Sequence, residues 1–279
     1  MYKELVEGIQ SGKIVPYLGA GALKDVKNMQ DGSPIPADSD SLILAMNNGQ
    51  PMAPRLMYEF PRAAMNMENK KGRSFVQRFL NETYGDKEWT RGQLHDWIAD
   101  LKPNYVIDVN RDTQLLDTYA DCEHTLVMGV ARITASDYRF KLFHYDGSSY
   151  SEVQLDQVNP SLPIVFKPLG APKPEANYIA ADADFVDYIT ELMGGFAIPD
   201  FLKDYRKEKQ YLFLGMRFTR DTERMVMSDI IYAADEPAGW AFIPEPTDKE
   251  RRFCALKKIE IIEQDWDVLL SPETAQAMA

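Results

Sequence analysis

The chain has 279 residues, of which 45% are hydrophobic and 11% aromatic. This composition is sufficient to bury a full core, which excludes a disordered polyelectrolyte. The formal net charge of −12 repels phosphate backbones, so we expect no general nucleic-acid binding. No stretch reaches the roughly 18 consecutive apolar residues of a membrane span. The first residues, rich in Lys and Glu, lack the apolar core of a secretory signal. We therefore expect a cytoplasmic protein.

Helical and strand patterns alternate along the chain, which predicts a Rossmann-like, doubly wound α/β fold with a mostly parallel sheet. A polar loop rich in turn-forming residues occupies 24–41, and we expect it to cover a surface rather than enter the core. In chain order the predicted elements are helix 2–11, strand 14–18, helices near 42–48, 53–66, 71–84 and 88–101, strands 105–109, 125–133, 138–145, 150–155 and 163–170, helix 182–193, strand 211–215, helix 219–233, strand 239–243, helix 247–254, strand 257–262 and helix 264–270.

We expect residues 1–279 to form one domain. A helical subdomain is predicted at about 40–100, where several methionines favour an apolar core. An antiparallel hairpin is predicted as an insertion at about 134–158, because Asp146-Gly147 between alternating runs is typical of a tight hairpin turn. This hairpin is the only antiparallel piece that the patterns predict.

Three apolar strands end in glycine, at Gly19, Gly170 and Gly215. Ligands of open parallel sheets bind at the carboxyl ends of strands, where glycine allows the backbone to approach a phosphate or a sugar. A glycine at a strand end also serves simply to turn the chain, so each position alone has a purely structural alternative. Gly19-Ala20-Gly21 is a weak dinucleotide signal, since Lys24 stands where a third glycine would complete the usual fingerprint.

Six segments, taken together and in order, resemble the sirtuin family, in a short bacterial branch without zinc. They span about residues 5–235, and the resemblance rests on their order because each match is loose. The segments are IVPYLGAGAL (14–23), SPIP (33–36), YVIDVNRDTQLLDTY (105–119), IVFKPLGAP (164–172), NYIAADADFVDYI (177–189) and QYLFLGMRF (210–218).

The resemblance implies a site for NAD or ADP-ribose. Backbone amides of the Gly-Ala-Gly segment would hold the pyrophosphate, and Asn110 would orient a ribose or a water molecule. Arg111 replaces a tyrosine of the family, while Asp112 keeps its place. We assign a helix-capping alternative to Asp112. The residues predicted to bind the cofactor are Gly19, Ala20, Gly21, Pro34, Ile35, Pro36, Asn110, Gly170, Gly215 and Arg217, and those predicted to take part in any catalysis are Asn110 and Asp112.

Two departures from the family argue against protein deacylation. The family carries a histidine as general base in a Lys-Leu-His-Gly segment, and we place Pro168 at that position. A general base is worth about 10²- to 10⁴-fold in rate, and proline cannot accept a proton. We do not expect His95, His124 or His144 to replace it. Acidic groups expected near the crevice are Asp108, Asp112 and Asp182.

The second departure lies after Gly215, where Met216 and Arg217 stand and the family's serine is missing. Arg217, Arg220 and Arg224 follow at helical spacing. Arginine forks suit phosphate groups, which predicts an anion site. The alternative is a solvated helix face with Arg217–Asp221 and Arg220–Glu223 pairs.

The two cysteines, Cys122 and Cys254, are too few for a four-thiolate zinc site. We expect both to be reduced core thiols and expect no zinc.

Three functions remain open at this point. The first is a nucleotide-binding protein that has lost deacylase activity and acts as a sensor or accessory partner. The second is an active NAD glycohydrolase that uses Asn110 with a base other than histidine. The third is a non-enzymatic protein that binds a protein partner through the hairpin 138–155 and the methionine-rich region.

Overall fold

The structure, a computed structural model, describes residues 1–271. Helices and strands alternate over most of this range, as the sequence patterns predict. The helices are α1 (Tyr2–Gln10), α2 (Ser39–Met46), α3 (Phe60–Lys71), α4 (Arg73–Tyr84), α5 (Gln93–Leu101), α6 (Gln114–Thr118), α7 (Asp182–Gly194), α8 (Asp200–Tyr205), α9 (Asp221–Ile230) and α10 (Asp248–Leu256). The strands are β1 (Ile14–Leu18), β2 (Tyr105–Asp108), β3 (His124–Gly129), β4 (Phe140–Tyr145), β5 (Tyr150–Glu152), β6 (Ile164–Lys167), β7 (Gly170–Ala171), β8 (Asn177–Tyr178), β9 (Gln210–Leu214), β10 (Gly239–Phe242) and β11 (Ile259–Ile262).

Nine of these strands form one sheet in the order β11-β10-β9-β1-β2-β6-β3-β4-β5. The seven strands from β11 to β3 run parallel, and β4 and β5 add antiparallel strands at one edge. This arrangement confirms the predicted α/β fold with a mostly parallel sheet. Strand order reverses at β1, whose neighbours are β2 on one side and β9 on the other. In doubly wound sheets such a reversal opens a crevice at the carboxyl ends of the strands.

Both faces of the sheet are buried, as a parallel sheet between helices requires. All five residues of β1 are buried, and successive side chains point to opposite faces. Tyr17 packs on one face with Phe166 and Phe213. Leu18 packs on the other face with Leu214. The near-continuous apolar strands in the sequence follow directly from this double burial.

The predicted hairpin is present as β4 and β5, which pair antiparallel across the Asp146-Gly147 turn. Strand β4 also pairs antiparallel with β3, so the hairpin extends the edge of the main sheet. The prediction that this hairpin is the only antiparallel piece is wrong, because β7 and β8 form a separate antiparallel pair. Two residues a strand are too few for the alternating pattern that identifies a strand from sequence.

Helices α2, α3 and α4 enclose a third apolar cluster that includes Met46 and Met67. Val26 and Ile35 are buried in the same cluster, at 0% and 5% exposure. The expectation that 24–41 only covers a surface is therefore wrong. The loop contributes two apolar side chains to a core that the helices alone do not complete.

Several predicted boundaries differ from the structure. The helix predicted at 53–66 is α3, which begins at Phe60 with Pro61 in its first turn. A proline fits there because the first backbone N–H groups of a helix have no intrahelical partner. The helix predicted from Thr219 begins at Asp221. The helical pattern predicted at 264–270 is a 3₁₀ turn over Trp266–Leu270.

The start of α7 is capped by Asp184 and not by Asp182, the first residue of the helix. The carboxylate of Asp184 accepts hydrogen bonds from the backbone N–H groups of Ala180 and Ala181, at 3.1 and 3.0 Å. The cysteine expectation is half right: Cys254 is buried, whereas Cys122 is exposed, and both are free thiols.

Among the helices of residues 1–271, none combines the length and apolar character that crossing a membrane requires. Within the same range, no group of three or more His, Cys, Asp or Glu side chains is arranged to hold a metal ion.

Candidate functional site

A cavity of about 1040 Å³ lies at the carboxyl ends of β1, β2 and β9, between the sheet and the helical segment. These three strand ends are level with one another, since Leu18 pairs with Asp108 on one side and with Leu214 on the other. The cavity therefore occupies the place where the strand order reverses. Its size is at the upper end of the range for small-molecule sites.

The turns after β1 and β9 approach each other closely at one wall of the cavity. Gly21 N donates to Gly215 O over 2.9 Å. Gly215 has φ +71°, and a Cβ there would lie 2.2 Å from the backbone N of Ala22. The glycines that follow these strands thus bring two backbones together beside the cavity, an approach that a side chain would prevent.

Most of the residues predicted to bind a cofactor meet at this cavity, although they come from distant parts of the chain. The predicted residues that line it are Ala20, Gly21, Pro34, Ile35, Pro36, Asn110, Gly215 and Arg217.

Three other predicted residues lie outside the cavity wall. Gly19 precedes the turn and donates its N–H to Leu214 O. Gly170, with φ +84°, lies against β8, where a Cβ would be 2.0 Å from Asn177 O. Asp112 accepts a hydrogen bond from Gln114 N over 2.7 Å. Gly170 has a sufficient structural reason in strand pairing, and Asp112 has one at the start of α6.

Asn110 is held in place by neighbouring groups. Its Nδ2 donates to Gly19 O over 2.9 Å and to Asp108 Oδ1 over 2.8 Å, and its backbone N donates to the same carboxylate. Because both contacts engage the amide nitrogen, the side-chain amide has one defined orientation beside the cavity.

Asp108 is itself paired with Lys167, with 2.6 Å between Oδ2 and Nζ, and both side chains are fully buried. Burial raises the pKa of Asp108, while the ammonium group of Lys167 opposes that shift. Each of these residues ends an apolar strand, β2 and β6. The pair holds the carboxylate that orients Asn110, and this role of Lys167 is not predicted from the sequence.

Leu169, rather than Pro168, lines the cavity. Counting along the segment from Lys167 to Gly170 also places Leu169 directly before the glycine. A base that acted in this cavity from this segment would therefore have to stand at position 169, where the chain has an aliphatic side chain.

The three arginines after β9 differ in their partners. Arg217 lines the cavity, but its guanidinium forms two hydrogen bonds with the buried Glu250, at 2.6 and 2.9 Å. Arg224 pairs with Asp221. Arg220 also lines the cavity, and its ion-pair contact is a longer one, 3.8 Å to the exposed Asp40. The expected Arg217–Asp221 pair is thus replaced by Arg217–Glu250, and Arg220 pairs with Asp40.

Two buried polar atoms at the cavity have no hydrogen-bond partner within residues 1–271. They are Oε2 of Glu223, in the first turn of α9, and the hydroxyl of Tyr17, on β1. Burial and the nearby Glu59 carboxylate raise the pKa of Glu223 to about 7. Neither residue is predicted from the sequence. A hydroxyl in the otherwise apolar IVPYL strand was the one available signal, whereas Glu223 looked like a member of a charged helix face.

The three histidines lie away from the cavity. His95 is fully buried in α5, His124 contacts the Tyr150 hydroxyl, and His144 pairs with Glu123 at the sheet edge. None of the three lines the cavity. Of the acidic groups expected near the crevice, Asp108, Asp112 and Asp182 are likewise absent from its wall.

The fold and this cavity define a doubly wound α/β protein with a cavity at the reversal of strand order. A model of the SIR2-like domain matches residues 105–262, which is more than half of the chain. The chain therefore belongs to the SIR2-like, or sirtuin-like, family. The match covers β2 to β11, while β1 and its glycine turn lie before it and join the same sheet. A search of curated proteins finds no match.

Proposed function

We propose that this protein binds NAD or ADP-ribose in the cavity at the ends of β1, β2 and β9. The observation that carries the proposal is the juxtaposition, on one cavity, of the closely packed glycine turns and the fixed amide of Asn110. Membership of the SIR2-like family supports a nucleotide ligand for such a site. We propose further that residues 1–279 act as one cytoplasmic domain without zinc.

The residues present are suited to a dinucleotide. The backbone of Ala20 and Gly21 would face the pyrophosphate, with the loop Pro34–Pro36 over it. Asn110 would orient a ribose. Arg220 is better placed than Arg217 to neutralise a phosphate, since the guanidinium of Arg217 already forms a bidentate pair with Glu250.

We propose that deacylase activity is lost and that the protein acts as a sensor or an accessory partner. Neither Leu169 nor Pro168 can accept a proton, so the segment that carries the family's base has none here. A missing general base lowers a rate by about 10²- to 10⁴-fold. Ligand binding does not need this proton transfer and would survive its loss.

Thermal melts with NAD, NADH, ADP-ribose and ATP test the proposal. A ligand at about 100 times its Kd stabilises a protein by about 2.7 kcal/mol, which is a shift of several degrees. We expect such a shift with NAD or ADP-ribose and a smaller one in Arg220→Ala. Arg251→Ala, which removes an exposed pair with Glu263, is the matched control and should keep the full shift. Unchanged melting with both nucleotides at saturation would contradict the proposal.

An NAD glycohydrolase is the second candidate function. The orientation of the Asn110 amide favours it, because an amide held on both sides can position a ribose or a water molecule for attack. We expect the wild-type protein to release nicotinamide from NAD and Asn110→Ala to release it at least about 10-fold more slowly. Release that is equal in the two proteins, or absent from both, would count against this candidate.

A further inference from the structure

Glu223 lines the cavity, and one of its carboxyl oxygens is buried and lacks a hydrogen-bond partner within the described part of the chain. Buried polar atoms almost always have a hydrogen-bond partner, so such an atom at a cavity indicates a group that meets a ligand or a water molecule. Tyr17 also lines the cavity, and its hydroxyl is likewise buried without a hydrogen-bond partner within residues 1–271. The two residues come from different elements, α9 and β1, which makes them independent observations.

The surroundings of Glu223 are both acidic and basic. The charged groups that face it are Glu59 before α3, Asp38 before α2, Arg220 before α9 and Arg111 after β2. Glu59 accepts hydrogen bonds from the backbone N and hydroxyl of Thr222.

The two arginines near Glu223 have other partners. Arg111 donates twice to Ile179 O, at 2.9 and 2.6 Å, and Arg220 faces Asp40. Burial and the Glu59 carboxylate therefore outweigh the arginines and raise the pKa of Glu223 to about 7. A carboxyl group that titrates near neutral pH is suited to accept and release a proton.

The other carboxylates on the cavity wall are already engaged or exposed. Asp38 accepts from Ser41 N as the cap of α2, and Asp265 pairs with Lys24. Asp40 is 64% exposed. Among the acidic residues that line the cavity, Glu223 alone combines burial of a carboxyl oxygen with the lack of a partner for it in residues 1–271.

We propose that Glu223 is a catalytic residue, the general base that takes a proton from water in hydrolysis of the nicotinamide–ribose bond of NAD. This inference rests on the proposed nucleotide site. In the step, the water oxygen forms a bond to the ribose C1′ as the C1′–N bond breaks and its electron pair stays on nicotinamide. One water proton goes to Glu223 and then to solvent. The products are ADP-ribose, nicotinamide and one proton.

The experiment compares nicotinamide release and NAD-dependent melting in the wild type and in Glu223→Gln, Glu223→Asp and Glu82→Gln. Glu82 is an exposed residue of α4 that pairs with Arg78, so its variant is the matched control. We expect Glu223→Gln to keep the NAD-induced melting shift while release falls by about 10²-fold or more. Glu223→Asp should recover part of the rate, and Glu82→Gln should retain all of it.

The pH profile provides a readout that a merely structural role would not move. We expect the wild-type rate of release to rise with pH through about 7, as Glu223 loses its proton, and the residual rate of Glu223→Gln to lack this rise. If Glu223→Gln fails to fold, the wild-type profile decides by itself, and a rate independent of pH between 5 and 9 overturns the proposal.

The outcomes separate this inference from the proposed function. NAD-dependent melting without nicotinamide release, or with equal release in Glu223→Gln, overturns the role of Glu223 and leaves the nucleotide site standing. Unchanged melting together with no release contradicts the nucleotide site, and the role of Glu223 then falls with it.

Discussion

At the scale of single residues, His95 is the clearest conflict between burial and polarity. It is fully buried in α5, and neither ring nitrogen has a hydrogen-bond partner within residues 1–271. Burial lowers the pKa of His95 to about 4, although the Asp112 carboxylate opposes that shift. The imidazole is thus neutral in the folded protein at pH values where an exposed histidine is charged.

This burial predicts acid sensitivity. Between pH 6.5 and about 4 the unfolded chain binds a proton at His95 that the folded protein does not. The free energy of unfolding should therefore fall as the pH drops through this window. We expect His95→Leu to flatten this part of the stability curve and to be neutral or stabilising at pH 7, since it removes unsatisfied buried nitrogens.

Urea unfolding at pH 4.5, 5.5 and 7 measures the effect of His95→Leu. His144→Gln is the control, because His144 lies partly exposed at the sheet edge beside Glu123, and this variant should keep the wild-type dependence. If the free energy of unfolding of His95→Leu falls with pH as steeply as that of the wild type, other groups cause the acid sensitivity.

At the scale of elements, the turns after β1 and β9 decide the shape of the cavity wall. The contact between Gly21 and Gly215 requires both a positive φ at Gly215 and the lack of a side chain. A pattern of strand followed by glycine predicts a turn, but it does not reveal that two such turns touch. The pairing of β1 with β9, which are almost 200 residues apart, creates that contact.

We expect Gly215→Ala to lower the free energy of unfolding by at least about 2 kcal/mol, because it combines backbone strain with a clash against the Ala22 backbone. Gly147→Ala is the control. Gly147 also has a positive φ, but a Cβ there would meet open space, so its cost should be about 1 kcal/mol. Thermal and urea unfolding measure both. Equal losses in the two variants would mean that the close approach of the turns adds nothing to stability.

At the scale of the whole molecule, one ion-pair network joins the helical segment to the sheet. Arg132, after β3, contacts Glu68 of α3 at 2.7 Å and Asp184 of α7 at 2.7 Å. Arg73 of α4 contacts the same Asp184 carboxylate at 3.2 Å. Asp184 is 1% exposed and also caps α7, so the segment after β3, α4 and the start of α7 all meet at one carboxylate.

We expect Asp184→Ala to lower the free energy of unfolding by about 3 kcal/mol or more. The change removes a carboxylate partner of both Arg132 and Arg73 and the acceptor of two backbone N–H groups. Glu82→Ala, which removes an exposed pair with Arg78, should cost no more than about 0.5 kcal/mol. Urea unfolding measures both variants, and a loss under 1 kcal/mol for Asp184→Ala would contradict a central role for the network.

Sequence patterns predicted the strands of the parallel sheet and most helices, because burial on both faces of a strand and on one face of a helix leaves a local record. They failed where local signals were short or ambiguous. The two-residue strands β7 and β8 were missed, and the loop 24–41 concealed the buried side chains of Val26 and Ile35.

The candidate site likewise has features that the sequence predicts and contacts that it does not. Glycines that follow strands, and Asn110 after the end of β2, are local features, so the sequence sufficed to single them out and to support membership of the sirtuin-like family. The partners of the charged residues are decided by tertiary structure alone. Asp108 meets Lys167, and Arg217 meets Glu250, across 59 and 33 residues. Whether Glu223 is a solvated surface charge or an unpartnered group on a cavity depends on the packing of α9 against distant elements, which no local pattern records.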